Sequence, residues 1–294
     1  MIEKHDMWYA PHEGTRTLHI WLPDDYYADG NEERYPVTYF FDGQNLFSDN
    51  EATYGTSWGL ADFLRSWEKP MIVVGLEYSH VGNERLDEYC PWSLKIMDFD
   101  VHGIGEKTFQ WIMNDIKPWV DATYRTWPHR EATAIAGSSM GGIMSVYGVL
   151  AHSDVFSKAG CISSGCHFMN RFFMPLANIS DISPDTRAYF AWAEGESGKI
   201  WGEDLLEDSD EAAATQELAT ILRIEGAATS LWCIPGGQHN EASWATQNRR
   251  CFDFLWCTRE DGPDEARARI SDSLCRREPG CSARFVTSRG MRRP

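Results

Sequence analysis

The 294-residue chain has no apolar run long enough to span a bilayer, and its opening segment MIEKHDMWYAPHEG lacks the hydrophobic stretch of a secretory signal. A cytoplasmic protein without a membrane partner is therefore expected. Positive charge is scarce as well. Lys and Arg number 27 against 44 Asp and Glu, a formal net charge of −17. Nucleic-acid binding needs clustered cations that displace counterions from phosphates, so no nucleic-acid partner is expected, and anionic membrane surfaces are disfavoured for the same reason. The eight cysteines stand scattered at positions 90, 161, 166, 233, 251, 257, 275 and 281. They form no close doublets with histidine partners, so neither a metal centre nor another cofactor is expected. Cys161 and Cys233 read as small core residues in strands.

Core-forming material is ample. Hydrophobic residues make up 43% of the chain and aromatics 13%, which excludes wholesale disorder. TRTLHIWLP alternates, with Leu18, Ile20 and Leu22 on one face and Thr17, His19 and Trp21 on the other, predicting a strand with one half-exposed face. Val37–Phe41 and Met71–Leu76 are continuous apolar runs, as in parallel strands buried on both faces. Further runs follow at Ala132–Ala136, Ala159–Ile162, Ala188–Trp192 and Thr229–Ile234. Between Thr108 and Tyr124, apolar residues recur at three- and four-residue steps, predicting a helix that Pro118 kinks or restarts. Gly141–Ala151, Thr215–Ile224 and Trp244–Trp256 read as other helices. This alternation predicts an α/β fold with a mostly parallel central sheet and helices on both faces.

Composition breaks after Trp256. Residues 258–294 hold nine Arg, six acids and no Lys, leaving eighteen cations and thirty-eight acids, a charge near −20, in the body. One domain over residues 1–257 is expected, followed by a flexible Arg-rich tail outside the fold.

The sharpest local signal is Gly137-Ser138-Ser139-Met140-Gly141-Gly142, a G-x-S-x-G pattern between the strand ATAIA and the helix GIMSVYGVLA. That context is the one a nucleophile elbow requires, with the serine hydroxyl raised at the carboxyl end of the sheet. Serine needs a base to take its proton, and histidine titrates near neutrality. Of nine histidines, His239 is singled out by the loop Pro235-Gly236-Gly237-Gln238-His239-Asn240-Glu241, directly after the last predicted strand. His102 and His167 could border the same pocket. A carboxylate is needed to orient the base, and the segment after AYFAW offers Glu194, Glu196, Glu203 and Asp204. The residues themselves do not rank these four. An oxyanion would be held by the Met140 backbone N–H and by a second N–H after VTYFF, from Gly43 or Gln44.

Four ordered segments, FFDGQNLF at 40–47, RLDEYCPW at 85–92, YRTWPHREATAIAGSSMGG at 124–142 and GGQHNEASW at 236–244, resemble the Putative esterase family. That family groups enterochelin-esterase-like and esterase-D-like α/β hydrolases. The similarity covers roughly residues 10–257. It implies the α/β-hydrolase fold and a serine hydrolase that cleaves carboxylic esters with Ser139, His239 and an acid. Relatives carry a strand followed by G-T-K-E, onto which YFAWAEGE aligns with Glu196 as the acid, although Ala193 replaces the usual glycine. In relatives the aromatic segment lies near the substrate cleft, and the resemblance implies the same position for Glu88, Tyr89 and Trp92. The family's substrates include acylated sugars, phenolic esters, siderophore lactones and thioesters. Ser138 stands where the S-formylglutathione hydrolase branch has histidine, which disfavours that thioesterase. The body's charge disfavours anionic ferric siderophores relative to acylated sugars or phenolic esters. Siderophore ester hydrolysis and acyl transfer on the same triad remain the alternatives.

Overall fold

The computed structural model describes residues 1–96, 98–196 and 211–257. Glu203, Asp204 and the tail at 258–294 lie outside the described residues. Strands β1 (Ile2–Tyr9) and β2 (Gly14–Trp21) open the chain, followed by β3 (Val37–Phe41), α1 (Leu60–Ser66), β4 (Ile72–Leu76) and the one-turn α2 (Glu84–Glu88). A small hairpin of β5 (Leu94–Ile96) and β6 (Phe99–Val101) precedes α3 (Gly105–Trp111) and α4 (Lys117–Thr123). Then come β7 (Thr133–Ser138), α5 (Met140–Ala151), β8 (Lys158–Ile162), α6 (Cys166–Ala177) and β9 (Arg187–Ala193). The last described elements are α7 (Glu211–Ile224), β10 (Ala228–Ile234), α8 (Glu241–Ala245) and α9 (Asn248–Trp256).

Eight strands form one sheet in the order β1-β2-β4-β3-β7-β8-β9-β10. β1, β2 and β4 are joined antiparallel, and every pairing from β4 to β10 is parallel. The continuous apolar runs in β3, β4, β7, β8 and β9 are buried because helices cover both faces of the sheet, whereas Thr229–Cys233 of the edge strand β10 is only half-buried, so Cys233 is not the core residue expected. Phe109, Ile143, Met144, Phe156 and Leu218 pack on one face, and Leu60, Leu64, Phe252 and Leu255 pack on the other. Among the described residues no helix is long and apolar enough to cross a membrane.

Three further details differ from the sequence expectation. The face of β2 carrying His19 and Trp21 is buried, each residue being 2% exposed, because Phe47 stacks over Trp21 and Glu77 pairs with His19 at 2.7 Å. The expected Thr108–Tyr124 helix runs from α3 to α4 through a π-turn at Ile112–Ile116. Pro118 has no N–H to return to Asn114, and the wider turn accommodates that loss without a break. The Trp244–Trp256 helix is two helices, α8 and α9, separated at Thr246-Gln247.

Candidate active site

The carboxyl ends of β7, β8, β9 and β10 lie side by side, so the loops following them meet at one edge of the sheet. Ser139 sits in the turn between β7 and α5 with φ 56° and ψ −123°, a region that L-residues seldom occupy. Two backbone bonds hold it there: Ser139 N–H donates to Ile162 O at 3.0 Å, and Ile143 N–H donates to Ser139 O at 3.0 Å. Glycine is required around it by contact. A Cβ on Gly137 would lie 2.7 Å from the Gly141 carbonyl carbon, one on Gly141 2.7 Å from Phe41 Cβ, and one on Gly142 2.4 Å from Ile162 O. Gly142→Ala should therefore destabilise the fold by about 1–3 kcal/mol, as overpacking does. Urea denaturation would measure this, and an unchanged midpoint would mean that the β8 backbone yields more easily than its sheet pairing suggests.

The loop after β10 brings His239 Nε2 to 3.0 Å from Ser139 Oγ. His239 Nδ1 hydrogen-bonds Glu196 Oε1, from the turn after β9. Glu196 Oε2 also accepts from Ala193 N–H at 2.7 Å and from Ser163 Oγ at 2.9 Å. Ser163 in turn accepts from Trp244 Nε1 at 2.8 Å, and the Trp244 ring meets the His239 ring edge-on at 4.9 Å. Glu194, two residues before, accepts instead from Gly236 N–H at 2.8 Å. Gly195 N–H donates to Gly237 O at 3.1 Å, so the loops bearing Glu196 and His239 are stitched along their backbones. Ser163 and Trp244 were not singled out from sequence. The signal was available, because Ser163-Ser164-Gly165 ends a buried parallel strand as Ser139 does.

The β3 loop approaches from the other side of Ser139. A Cβ on Gly141 would come within 3.3 Å of Asp42 Oδ2, so the segment carrying Gly43 and Gln44 lies against the first turn of α5, which begins at Met140. Gly43 touches Gly75 backbone to backbone: a Cβ there would be 2.5 Å from the Gly75 carbonyl carbon. Arg85 grips Asp42 with two bonds of 2.7 and 2.8 Å, fixing the loop's left-handed start. Gln44 is buried and donates to Thr53 Oγ1 at 3.1 Å. Asn45 Nδ2 reaches Glu241 Oε1 at 3.1 Å. Burial raises the Glu241 pKa above the ordinary carboxylate range, and the Asp42 charge adds to the effect while Arg85 and His239 oppose it.

A small cleft opens at this edge, lined by Ser139, Met140, His239 and Glu196 together with Ile143 and Phe168. Glu88, Tyr89 and Trp92, expected near the cleft, do not line it. Glu88 is 2% exposed and bonds Arg16, His12 and Ser79 N–H, a charge network beneath β2. His12, Glu84 and Glu88 present three ligand-type atoms within 4.8 Å, but the Arg16 guanidinium already supplies their cation. Tyr89 donates to Leu76 O at 2.9 Å and packs edge-on against Phe41, bracing the strand ends that carry the Asp42 loop. Trp92 stacks on Phe172 at 5.0 Å and covers α6. His102 is exposed and its N–H bonds Asp87, whereas His167 lines the cleft.

The family model described as Putative esterase matches residues 11–253 of this chain. Protein YbbA of Bacillus subtilis, described as uncharacterized, is 26% identical over 189 residues, covering 63% of this chain and 70% of that protein. Among solved structures, the BES protein from Bacillus cereus superposes with a TM-score of 0.66 at 15% identity, over 86% of this chain and 94% of that one. The siderophore hydrolase EstA from Aspergillus nidulans gives 0.62 at 15% identity, over 86% and 95%. At such identities the superpositions establish the fold, a mixed α/β sheet of the α/β-hydrolase type.

Proposed function

Because the chain belongs to the Putative esterase family and is a carboxylic ester hydrolase, we propose that it works through an acyl-enzyme formed on Ser139, with His239 as base and Glu196 as its orienting acid. The observation that carries this reading is the relay Ser139 Oγ, His239 and Glu196, with 3.0 Å between Oγ and Nε2. The Ser139 oxygen adds to the ester carbonyl carbon as its proton passes to His239 Nε2. The resulting oxyanion is stabilised by the N–H of Met140 and a second N–H from Gly43 or Gln44, beside the N-terminus of α5. His239 returns the proton to the departing alkoxide as the carbon–oxygen bond breaks. Water then repeats the sequence on the acyl-enzyme, releasing the acid and restoring Ser139. Glu196 keeps the proton on Nδ1 and stabilises the imidazolium while it lasts.

Acylated sugars or phenolic esters are the substrates we propose. Ile143 and Phe168 give the cleft an apolar wall suited to a neutral ring. The body's charge near −20 repels anionic siderophores. A panel running from 4-nitrophenyl acetate to longer acyl, feruloyl and acetyl-sugar esters tests this, with the feruloyl or acetyl-sugar members expected to give the highest kcat/KM. Preference for a siderophore lactone would overturn the substrate assignment. Adding competing alcohols to the same assay separates hydrolysis from acyl transfer, since a transferase would yield new esters in place of free acid.

A further inference from the structure

Beside the Ser139 relay, the cleft holds a second histidine–carboxylate pair that the mechanism above leaves idle. His167, in the first turn of α6, lines the cleft, and its side chain is 5% exposed. Its Nδ1 lies 2.5 Å from Oε2 of Glu211, whose side chain is 4% exposed. Glu211 also accepts from the backbone N–H of Cys166 at 3.0 Å and of His167 at 2.9 Å. A carboxylate occupied by donors in this way requires Nδ1 to bring the proton, which assigns the ring's tautomer. With Nδ1 as the donor, the ring in its neutral form carries a lone pair on Nε2. That atom is shielded from solvent and has no hydrogen-bond partner among the described residues. Buried polar atoms are nearly always paired, and an orphan at a binding site calls for a ligand that completes it.

We propose that His167 is a specificity-determining residue whose Nε2 accepts a hydrogen bond from a hydroxyl group of the bound ester. The proposal rests on the reading of Ser139 as nucleophile. The neighbouring wall suits such a group: Phe168 meets the His167 ring edge-on at 5.0 Å, and Ile96 and Ile143 line the same cleft. A hydroxylated ring can lay its apolar face there while its O–H reaches Nε2. The hydroxyl can belong to a phenolic acyl group or to a sugar on the alcohol side; both offer the same donor. A site built around an acceptor discriminates against the ligand that lacks the donor, because the acceptor is then left buried and unpaired.

The experiment measures kcat/KM for substrate pairs differing only by that hydroxyl: ethyl 4-hydroxycinnamate against ethyl cinnamate, and acetylated glucosides against their singly deoxygenated analogues. Wild type, His167→Phe and His167→Gln are compared. A separate sample of each protein is treated with a serine-directed fluorophosphonate, which reports on the nucleophile and on an intact site. Wild type should favour the hydroxylated member of one pair by about tenfold, equivalent to 1.4 kcal/mol. His167→Phe should bring the ratio close to one, and His167→Gln, which restores an acceptor, should recover part of it. The responding pair assigns the hydroxyl to the acyl or the alcohol side. Fluorophosphonate labelling with equal rates in every wild-type pair would overturn the role of His167 while leaving Ser139 in place. A preference that survives in a labelled His167→Phe would do the same. Absence of labelling in an active wild type would instead remove the nucleophile assignment, and this proposal with it.

Discussion

Ser139→Ala is expected to lower ester turnover by on the order of 10⁶-fold, the scale of losing the nucleophile from a cooperating triad. The substitution is gentle on the fold. Alanine keeps the Cβ that the turn already accommodates at φ 56°, and it keeps the backbone bonds to Ile162 and Ile143. Only the 3.0 Å contact to His239 disappears. Melting temperature should therefore stay close to wild type while kcat on 4-nitrophenyl acetate falls to background, and fluorophosphonate labelling should vanish. A mutant retaining more than about a hundredth of wild-type turnover would show that another group attacks the ester.

The second large effect concerns the base and its carboxylate. His239→Ala should cost about as much as loss of Ser139, since an unassisted serine hydroxyl is a poor nucleophile. Glu196→Gln should cost less, roughly 10⁴-fold, because the acid orients and stabilises the base without making or breaking a bond. Glu194→Gln should stay within about tenfold of wild type. Its carboxylate holds the Gly236 N–H, and a glutamine amide oxygen can still accept that bond. Turnover of the three variants under identical conditions orders them. If Glu194→Gln lost a thousandfold while Glu196→Gln did not, the two loops would close differently in solution and the acid would be Glu194.

Much of this arrangement is legible before any coordinates. Runs such as VTYFF and MIVVGL announce buried parallel strands because both their faces are apolar, and β3 and β4 occupy those positions. The elbow is legible because its glycines answer to backbone sterics that act over a few residues. Choosing among four acids is a different problem. Glu194 and Glu196 differ only in which way a short turn directs each side chain, a tertiary matter decided by the β10 loop across the sheet edge. The resemblance singled out Glu196, which the residues alone did not. β1 is not legible in the sequence because IEKHDMWY mixes charged and apolar residues on both its exposed and half-buried positions and never builds an apolar run, as befits an edge strand. α6 is equally hard to read: Pro175 lies within it, and its first turn is secured by Glu211, forty-five residues after Cys166. Glu88 and Tyr89 show the converse case. A motif can mark residues that brace the strands under a site, so that its position in sequence says little about contact with substrate.

The left-handed backbone at Ser139 sets two kinds of selection against each other. A non-glycine residue held there costs the folded state about 1–3 kcal/mol, which a glycine would largely recover. A laboratory search for thermostable variants scored by melting alone would therefore reward Ser139→Gly, the variant that cannot form an acyl-enzyme. Stability and turnover pull this position in opposite directions, so the serine persists only where lineages are judged by the product they make.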